Sequence, residues 1–93
     1  MATILITGST TGLGKRTAEL LLADGHQVVL HARNHGRAEQ IQAELPQAAA
    51  VLSGDLSLIS ESKDLARQAN DFGHFDAVIH NAGVYNTGTQ ARL

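Results

Sequence analysis

Cysteine is absent from the sequence, and aromatic residues are scarce, with two Phe, one Tyr and no Trp. The missing thiols exclude disulfides, thiolate metal sites and a cysteine nucleophile, and they fit a reducing cytoplasm. No apolar run approaches the roughly 20 residues of a membrane helix, and the start of the chain lacks the features of a signal peptide. We therefore expect a soluble, cytoplasmic protein with an aliphatic core and no membrane partner.

An excess of charge of either sign is also lacking. The net charge is −2 and the pI is about 6.2, and the basic residues form no stripe that could follow a nucleic-acid backbone. We therefore expect no nucleic-acid partner. The hydrophobic share of 43% is typical of a globular chain. At this length residues 1–93 form one domain at most, here a single partial domain.

Short apolar segments alternate with amphipathic ones. The apolar segments predict strands buried in a parallel sheet, at Ala2–Thr7, Gln27–Ala32, Ala48–Ser53 and Asp76–His80. The segments between them predict three helices: Lys15–Asp24, a helix that Asn34 caps and that ends before Pro46, and a helix that Ser57 caps and Gly73 ends. The predicted inward positions of the first and third helices are Leu13, Ala18, Leu21, Leu22, Leu58, Ser62, Leu65, Ala69 and Phe72.

The order β-α-β-α-β-α-β predicts the fold class. Right-handed crossovers give an α/β, Rossmann-type parallel sheet of strand order 3-2-1-4, the N-terminal part of a doubly wound fold. The first two helices should share one face of the sheet and the third should lie on the other. The fourth strand would leave an exposed edge. Either the chain is part of a longer enzyme, or it self-associates through this edge.

A glycine-rich turn lies between the first strand and the first helix, and its candidate ligand-binding residues are Gly8, Ser9, Thr10, Thr11, Gly12, Leu13 and Gly14. Gly8 would allow the chain to leave the strand in a conformation closed to other residues. Gly12 would allow close approach to a pyrophosphate, and Gly14 close packing of helix on strand. Hydroxyl groups, that of Thr7 included, could add donors. A Walker loop is excluded, because Ser9 replaces its leading glycine and Arg16 its magnesium-binding Ser or Thr.

The turn resembles the Thr-Gly-x-x-x-Gly-x-Gly turn of the short-chain dehydrogenase/reductase family. Asp55-Leu56 follows the third strand, where the family uses an Asp to contact adenine, and His80-Asn81-Ala82-Gly83 is similar to the family's Asn-Asn-Ala-Gly motif. Gly14-Lys15-Arg16-Thr17-Ala18 and Ala32-Arg33-Asn34 resemble the retinol-dehydrogenase-like branch. The resemblance extends from about Thr3 to Gly83. It implies that Asp55, Leu56, Asn81, Ala82 and Gly83 contact a nicotinamide cofactor.

The end of the second strand predicts which cofactor binds. An NAD-selective site needs a carboxylate there for the ribose hydroxyls, whereas this chain has Ala32 followed by Arg33 and Asn34. A guanidinium can bind a 2′-phosphate through charge-assisted, bidentate hydrogen bonds. We therefore predict that NADP(H) is preferred over NAD(H), with Arg33 and Asn34 in the cofactor site.

The resemblance implies hydride transfer between this cofactor and a small-molecule carbonyl or alcohol. The family's catalytic Tyr, Lys, Ser and Asn follow the Asn-Ala-Gly strand by a helix or more. Tyr85 does not match, because position 89 is Thr rather than Lys. We assign no catalytic residue and no metal ligand, and the five histidines are interpreted as ordinary surface or core residues. The alternatives to an oxidoreductase are a non-catalytic dinucleotide-binding module and an inactive truncated product.

Overall fold

The computed structural model describes residues 1–8 and 12–81, in which strands and helices alternate. The elements are β1 (Thr3–Thr7), α1 (Gly12–Ala23), β2 (Gln27–Ala32), α2 (His35–Glu44), β3 (Ala50–Ser53), α3 (Ile59–Phe72) and β4 (Ala77–His80). The β2 bounds agree with the sequence prediction, while the other three strands begin one or two residues later than predicted.

The four strands form one parallel sheet in the order β3-β2-β1-β4. The chain moves outward from β1 to β3 and then returns to place β4 on the other side of β1. Leu5 is level with Val29 on one side and with Val78 on the other. The predicted α/β fold and its strand order are therefore confirmed.

Alternation along the strands divides the core into two layers. One layer joins α1 and α2 to the sheet, and its buried members are Ile4, Ile6, Ala18, Val28, Leu30, Ile41 and Leu45. The other joins α3 to the opposite face, and its buried members are Leu5, Val29, Leu52 and Leu65. Successive strand residues point to opposite faces, so α1 and α2 lie on one face and α3 on the other, as expected.

The first helix differs from its prediction at its start. It begins at Gly12 rather than Lys15, so the last glycines of the turn already belong to the helix. The prediction that Leu13 faces inward is wrong, since Leu13 is 72% exposed. Ala18, which is buried, lies five positions after Leu13, which places the two side chains roughly 140° apart around a helix of 3.6 residues per turn.

The third helix also begins differently. Ser57 is not its N-cap, because α3 begins at Ile59 and the cap position falls on Leu58. The Ser57 amide and hydroxyl both donate to Asp55 Oδ1, at 2.9 and 2.7 Å. Leu58 occupies the cap position with an extended backbone and no side-chain cap hydrogen bond. Leu58 is therefore not in the helix, and it is exposed rather than inward. Leu65, Ala69 and Phe72 do pack against the sheet, as predicted.

The other helix ends agree with their predicted signals. Asn34 caps α2 by accepting a hydrogen bond from the Arg37 amide at 2.9 Å, and Gly73 ends α3 with φ 132°. All four residues of β4 are exposed, including the apolar Val78 and Ile79. Across residues 1–8 and 12–81, no helix has the length and apolar character that a bilayer span requires.

Candidate functional site

The carboxyl ends of the four strands meet at one edge of the sheet. Gly8 follows β1, Arg33 follows β2, Gly54 and Asp55 follow β3, and Asn81 follows β4. In open α/β sheets ligands bind in the crevice outside this edge, where the strand order reverses. Here the order reverses between β1, from which β2 and β3 extend, and the returning β4. Of the sequence-predicted site residues, Gly8, Arg33, Asp55 and Asn81 thus lie at the edge where a ligand is expected.

Two glycines of the turn have backbone angles that other residues rarely adopt. Gly8 has φ 65° and Gly12 has φ 57°, both in the left-handed region that favours glycine. A Cβ at Gly12 would meet nothing within 4 Å, so the backbone there is open to close approach by a ligand. Gly14 is buried within α1. Ser9, Thr10 and Thr11 lie outside the described residues.

Two side chains fix the first glycine from opposite sides. The Gly8 amide donates to His31 Nδ1 of β2 at 2.9 Å, and the Gly8 carbonyl accepts from Asn81 Nδ2 at 3.1 Å. Thr7 connects the end of β1 to the end of β4. Its Oγ1 accepts a hydrogen bond from the Asn81 amide at 3.0 Å and lies 3.4 Å from the Ile79 carbonyl oxygen. Thr7 is 4% exposed. Its hydroxyl therefore links β1 to β4, and its role as a hydroxyl donor to a ligand stays a prediction.

His31 extends this network to the third strand. Its Nε2 lies 2.7 Å from the Gly54 carbonyl oxygen, and the residue is 3% exposed. Burial lowers the pKa of His31 below its usual range, while the hydrogen bond to the Gly54 carbonyl and the Asp55 charge act in the opposite direction. The imidazole is therefore neutral at neutral pH, with a donor toward Gly54 and an acceptor toward Gly8.

Arg33 and Asp55, predicted to contact different parts of a cofactor, are paired with each other. Arg33 Nε lies 3.6 Å from Asp55 Oδ2, and the arginine side chain is 72% exposed. An exposed pair of this kind contributes little to stability, because solvent screens the two charges. The hydrogen bonds from Ser57 to the carboxylate lower the pKa of Asp55, with a smaller contribution from the Arg33 charge. Asp55 is thus an anion that directs an exposed guanidinium at the end of β2.

Gly54 allows α3 to pack on the end of β3. A Cβ at this position would lie 3.0 Å from the Glu61 carbonyl oxygen and 3.4 Å from Leu65 Cβ. Glu61 Oε1 also accepts a hydrogen bond from the Asp55 amide at 2.8 Å. The segment after β3 is therefore fixed by the helix that follows it, which sets the position of Asp55.

A cavity of about 370 Å³ opens beside this segment. It is lined by Arg33, Asn34, His35, Ser53, Gly54, Glu61, Asp64 and Gln68. Gln68 is held against β3 by two hydrogen bonds with Ser53. The Gln68 side chain accepts a hydrogen bond from the Ser53 amide at 3.2 Å and donates one to the Ser53 carbonyl oxygen at 2.9 Å. The cavity thus lies between the ends of β2 and β3 and the first turns of α3.

The sequence-predicted site residues fall into three groups in the structure: residues at or beside the carboxyl edge, exposed leucines, and residues outside the described part of the chain. The residues at the carboxyl edge are Gly8, Arg33, Asn34, Asp55 and Asn81, and the residues in the first turn of α1 are Gly12 and Gly14. Leu13 and Leu56 are exposed there. Ala82 and Gly83 lie outside the described residues. Within the part of the chain that the structure describes, no group of three or more His, Asp or Glu residues is arranged to bind a metal ion.

Sequence reasoning missed His31, Gly54 and Gln68. A polar residue in the otherwise apolar run Gln27–Ala32 was the available signal for His31, because a buried polar side chain requires hydrogen-bond partners. The glycine after β3 was a weaker signal for close helix packing. Nothing local in the sequence marked Gln68, whose partner Ser53 is 15 residues away.

Comparison with known proteins supports this geometry. The sequence model of the short chain dehydrogenase family matches residues 2–93. An uncharacterized oxidoreductase of Emericella nidulans is 55% identical over 84 residues, which are 90% of this chain and 33% of that protein. A D-beta-hydroxybutyrate dehydrogenase of Cupriavidus necator is 35% identical over 88% of this chain and 33% of its own length.

Solved structures give the same result. A putative betaketoacyl-ACP reductase has a TM-score of 0.76 at 37% identity, covering 90% of this chain and 34% of its own. An Agrobacterium tumefaciens 3-oxoacyl (acyl-carrier-protein) reductase with NADP bound has a TM-score of 0.73 at 33% identity, covering 87% and 33%.

The chain therefore spans about one third of the length of these relatives. The comparisons do not specify a branch, so the retinol-dehydrogenase-like assignment stays a prediction. The match over residues 2–93, the sheet order and the glycine turn agree with one another, and the chain belongs to the short-chain dehydrogenase family of oxidoreductases.

Proposed function

We propose that this chain binds NADP(H) in preference to NAD(H), as the cofactor-binding part of an oxidoreductase that acts on a carbonyl or alcohol. The observation that carries the proposal is the end of β2, where the buried Ala32 is followed by the exposed Arg33. A carboxylate at this place would accept the ribose hydroxyls of NAD, whereas an arginine can bind a 2′-phosphate.

The glycine turn supports binding of the cofactor's pyrophosphate. The first turn of α1 begins at Gly12, so its unpaired amides and the positive end of the helix dipole face the carboxyl edge of the sheet. A phosphate group placed there would accept hydrogen bonds from the backbone without requiring a side chain. The absence of a Cβ at Gly12 leaves that approach open.

The ion pair with Asp55 supports the proposed role of Arg33. Asp55 contacts Arg33 at Nε, while the two terminal nitrogens lie farther along the side chain and can form the bidentate contact that a phosphate favours. The Asp55 carboxylate itself accepts two hydrogen bonds from Ser57. These hydrogen bonds stabilise the carboxylate as an anion and hold it at the Nε side of the Arg33 guanidinium.

The relatives support the reaction class. One is a D-beta-hydroxybutyrate dehydrogenase and another is a diacetyl reductase, and one structural neighbour contains bound NADP. Because the chain spans about a third of such proteins, we place turnover in a longer protein that supplies the Tyr and Lys of the family. We expect the 93-residue chain to bind the cofactor without reducing a carbonyl compound.

The test is titration calorimetry of the chain with NADPH and with NADH. Replacing Arg33→Gln should weaken NADPH binding by roughly tenfold to a hundredfold, because one to two charge-assisted hydrogen bonds are lost. NADH has no 2′-phosphate, so its affinity should change little. The matched control is Arg67→Gln, since Arg67 is also an exposed arginine paired with an aspartate, Asp64, at 2.7 Å.

Each outcome has a distinct meaning. Equal losses of NADPH and NADH affinity in Arg33→Gln would remove the 2′-phosphate argument. If Arg33→Gln and Arg67→Gln weakened NADPH binding equally, the preference for NADPH would reflect the net charge of the chain and not a contact from Arg33. If the wild-type chain bound neither nucleotide, the proposed function of this chain would be wrong.

A further inference from the structure

One buried side chain connects the ends of three strands. His31 belongs to β2, which lies between β1 and β3 in the sheet. Its imidazole contacts the Gly8 amide after β1 and the Gly54 carbonyl oxygen after β3, at 2.9 and 2.7 Å. Both partners are backbone groups located where the chain leaves a strand, so the ring provides hydrogen bonds where the regular pairing of strands ends.

The two contacts determine the protonation state of the ring. An amide N–H can only donate, so Nδ1 must be the acceptor for Gly8. A carbonyl oxygen can only accept, so Nε2 must carry the hydrogen that is donated to Gly54. A doubly protonated ring would turn an N–H toward the Gly8 N–H and break that bond.

We propose that neutral His31 is a positioning residue for the cofactor: it fixes the Gly8 amide, and with it the left-handed backbone of Gly8 at the entrance to the proposed pyrophosphate site. This inference rests on the proposed function. His31 itself does not contact the cofactor in this proposal. It acts through the backbone of Gly8, whose left-handed conformation directs the chain into the turn.

Among the described residues, several elements contribute to the surroundings of the ring. β1 contributes the hydroxyl of Thr7 beside Gly8, and α3 contributes the apolar Leu65 to the same layer of the core. Asp55, after β3, acts on the ring through its charge. Arg33 forms an ion pair with the Asp55 carboxylate, and Glu61 accepts a hydrogen bond from the Asp55 amide. Both of these charged residues therefore contact Asp55.

Two substitutions can separate the two hydrogen bonds. His31→Asn retains an acceptor at the position of Nδ1, facing Gly8, and cannot reach Gly54. His31→Gln places a donor at the position of Nε2, facing Gly54, and has no acceptor beside Gly8. His31→Leu removes both. The matched control is His26→Leu, because His26 Nδ1 also accepts a backbone amide, that of Ala2 at 3.1 Å, but at the opposite edge of the sheet.

The experiment is NADPH titration of these variants between about pH 5 and pH 7.5. We expect His31→Leu and His31→Gln to bind NADPH roughly tenfold more weakly at pH 7.5, the effect of leaving one amide without its partner. His31→Asn and His26→Leu should remain within about threefold of the wild-type chain. Wild-type affinity should fall as the pH decreases, and that fall should be smaller in His31→Asn, which does not titrate at this position.

The results separate the inference from the proposed function. A wild-type chain without NADPH affinity overturns both. A wild-type chain that binds NADPH, with His31→Leu equal to it, overturns the inference alone. If His31→Leu does not fold, nitrogen NMR of the wild-type chain still decides: a proton on Nδ1 at pH 7.5, or no scalar coupling across the Gly8 N–H to Nδ1 bond, overturns the inference.

Discussion

Gly54 is the residue at which a single methyl group should test how the site is built. In Gly54→Ala the new Cβ would lie 3.0 Å from the Glu61 carbonyl oxygen, a backbone atom that can move only if α3 shifts. We expect a loss of about 1–3 kcal/mol in the free energy of unfolding, measured by urea denaturation. NADPH affinity should fall as well, because Asp55 would move with the segment.

The matched control is Gly36→Ala in the first turn of α2. There the nearest atom to the new Cβ is Asn34 Oδ1 at 3.5 Å, an ordinary contact, and alanine is the better helix former. Gly36→Ala should leave stability unchanged or raise it by about 0.5 kcal/mol. Equal destabilisation by both substitutions would contradict the packing role assigned to Gly54.

Residues whose role depends on their own backbone could be predicted from the sequence, and residues whose role depends on distant partners could not. Gly8 needs a left-handed conformation, and its place after a strand indicates this directly. The role of His31 depends on Gly8 and Gly54, each 23 residues away along the chain. Nor could the sequence reveal the pairing of Arg33 with Asp55.

The uncapped start of α3 provides a test at the scale of the element. Leu58 occupies the cap position with extended backbone angles, φ −111° and ψ 129°, but offers no side-chain acceptor. Leu58→Ser should stabilise the chain by about 1 kcal/mol, because a serine hydroxyl can accept a free amide of the first helical turn. Serine is preferable to aspartate here, since Asp55 and Glu61 already place negative charge at this end.

The control for this prediction is Ile59→Ser, one position later. Ile59 is more exposed than Leu58, at 78% against 47%, and it lies inside the helix, where its side chain cannot cap. Its replacement should change the free energy of unfolding, measured by urea denaturation, by no more than about 0.5 kcal/mol. Equal stabilisation by both serines would show that lower surface hydrophobicity, and not capping, is responsible.

Helix ends were predictable where the signal is the residue itself. Asn34 and Gly73 act as the sequence indicates, through a side-chain acceptor and a left-handed backbone. Ser57 has the chemistry of a cap residue, but its hydroxyl donates to the Asp55 carboxylate and the cap position falls one residue later, on Leu58. Residue preferences alone therefore do not resolve where α3 begins.

At the scale of the whole molecule, the strand order followed from the sequence because few arrangements are compatible with it. Four apolar segments separated by helices require parallel pairing and right-handed crossovers. The division of apolar residues between the two faces followed from strand alternation, as Val28 and Val29 show by packing into different layers. The exposed apolar residues of β4, Val78 and Ile79, belong to a strand that pairs with β1 among the described residues.

The whole molecule should lose stability as the pH falls from about 7 to about 5, because of His31. Burial holds the pKa of His31 below its usual range, so the unfolded chain binds a proton more readily than the folded chain. The stabilisation is fully present above the unfolded pKa of about 6.5 and is lost progressively as the pH falls toward the lower folded value.

The pKa of Asp55 is also lowered, but its contribution is lost only in stronger acid. The pKa of Lys15 is raised by Glu44, so its contribution is lost only in strong base. Urea midpoints measured across this range should therefore decrease for the wild-type chain and decrease less for His31→Asn. Parallel curves for the two proteins would mean that the buried imidazole is not the group that links folding to protons.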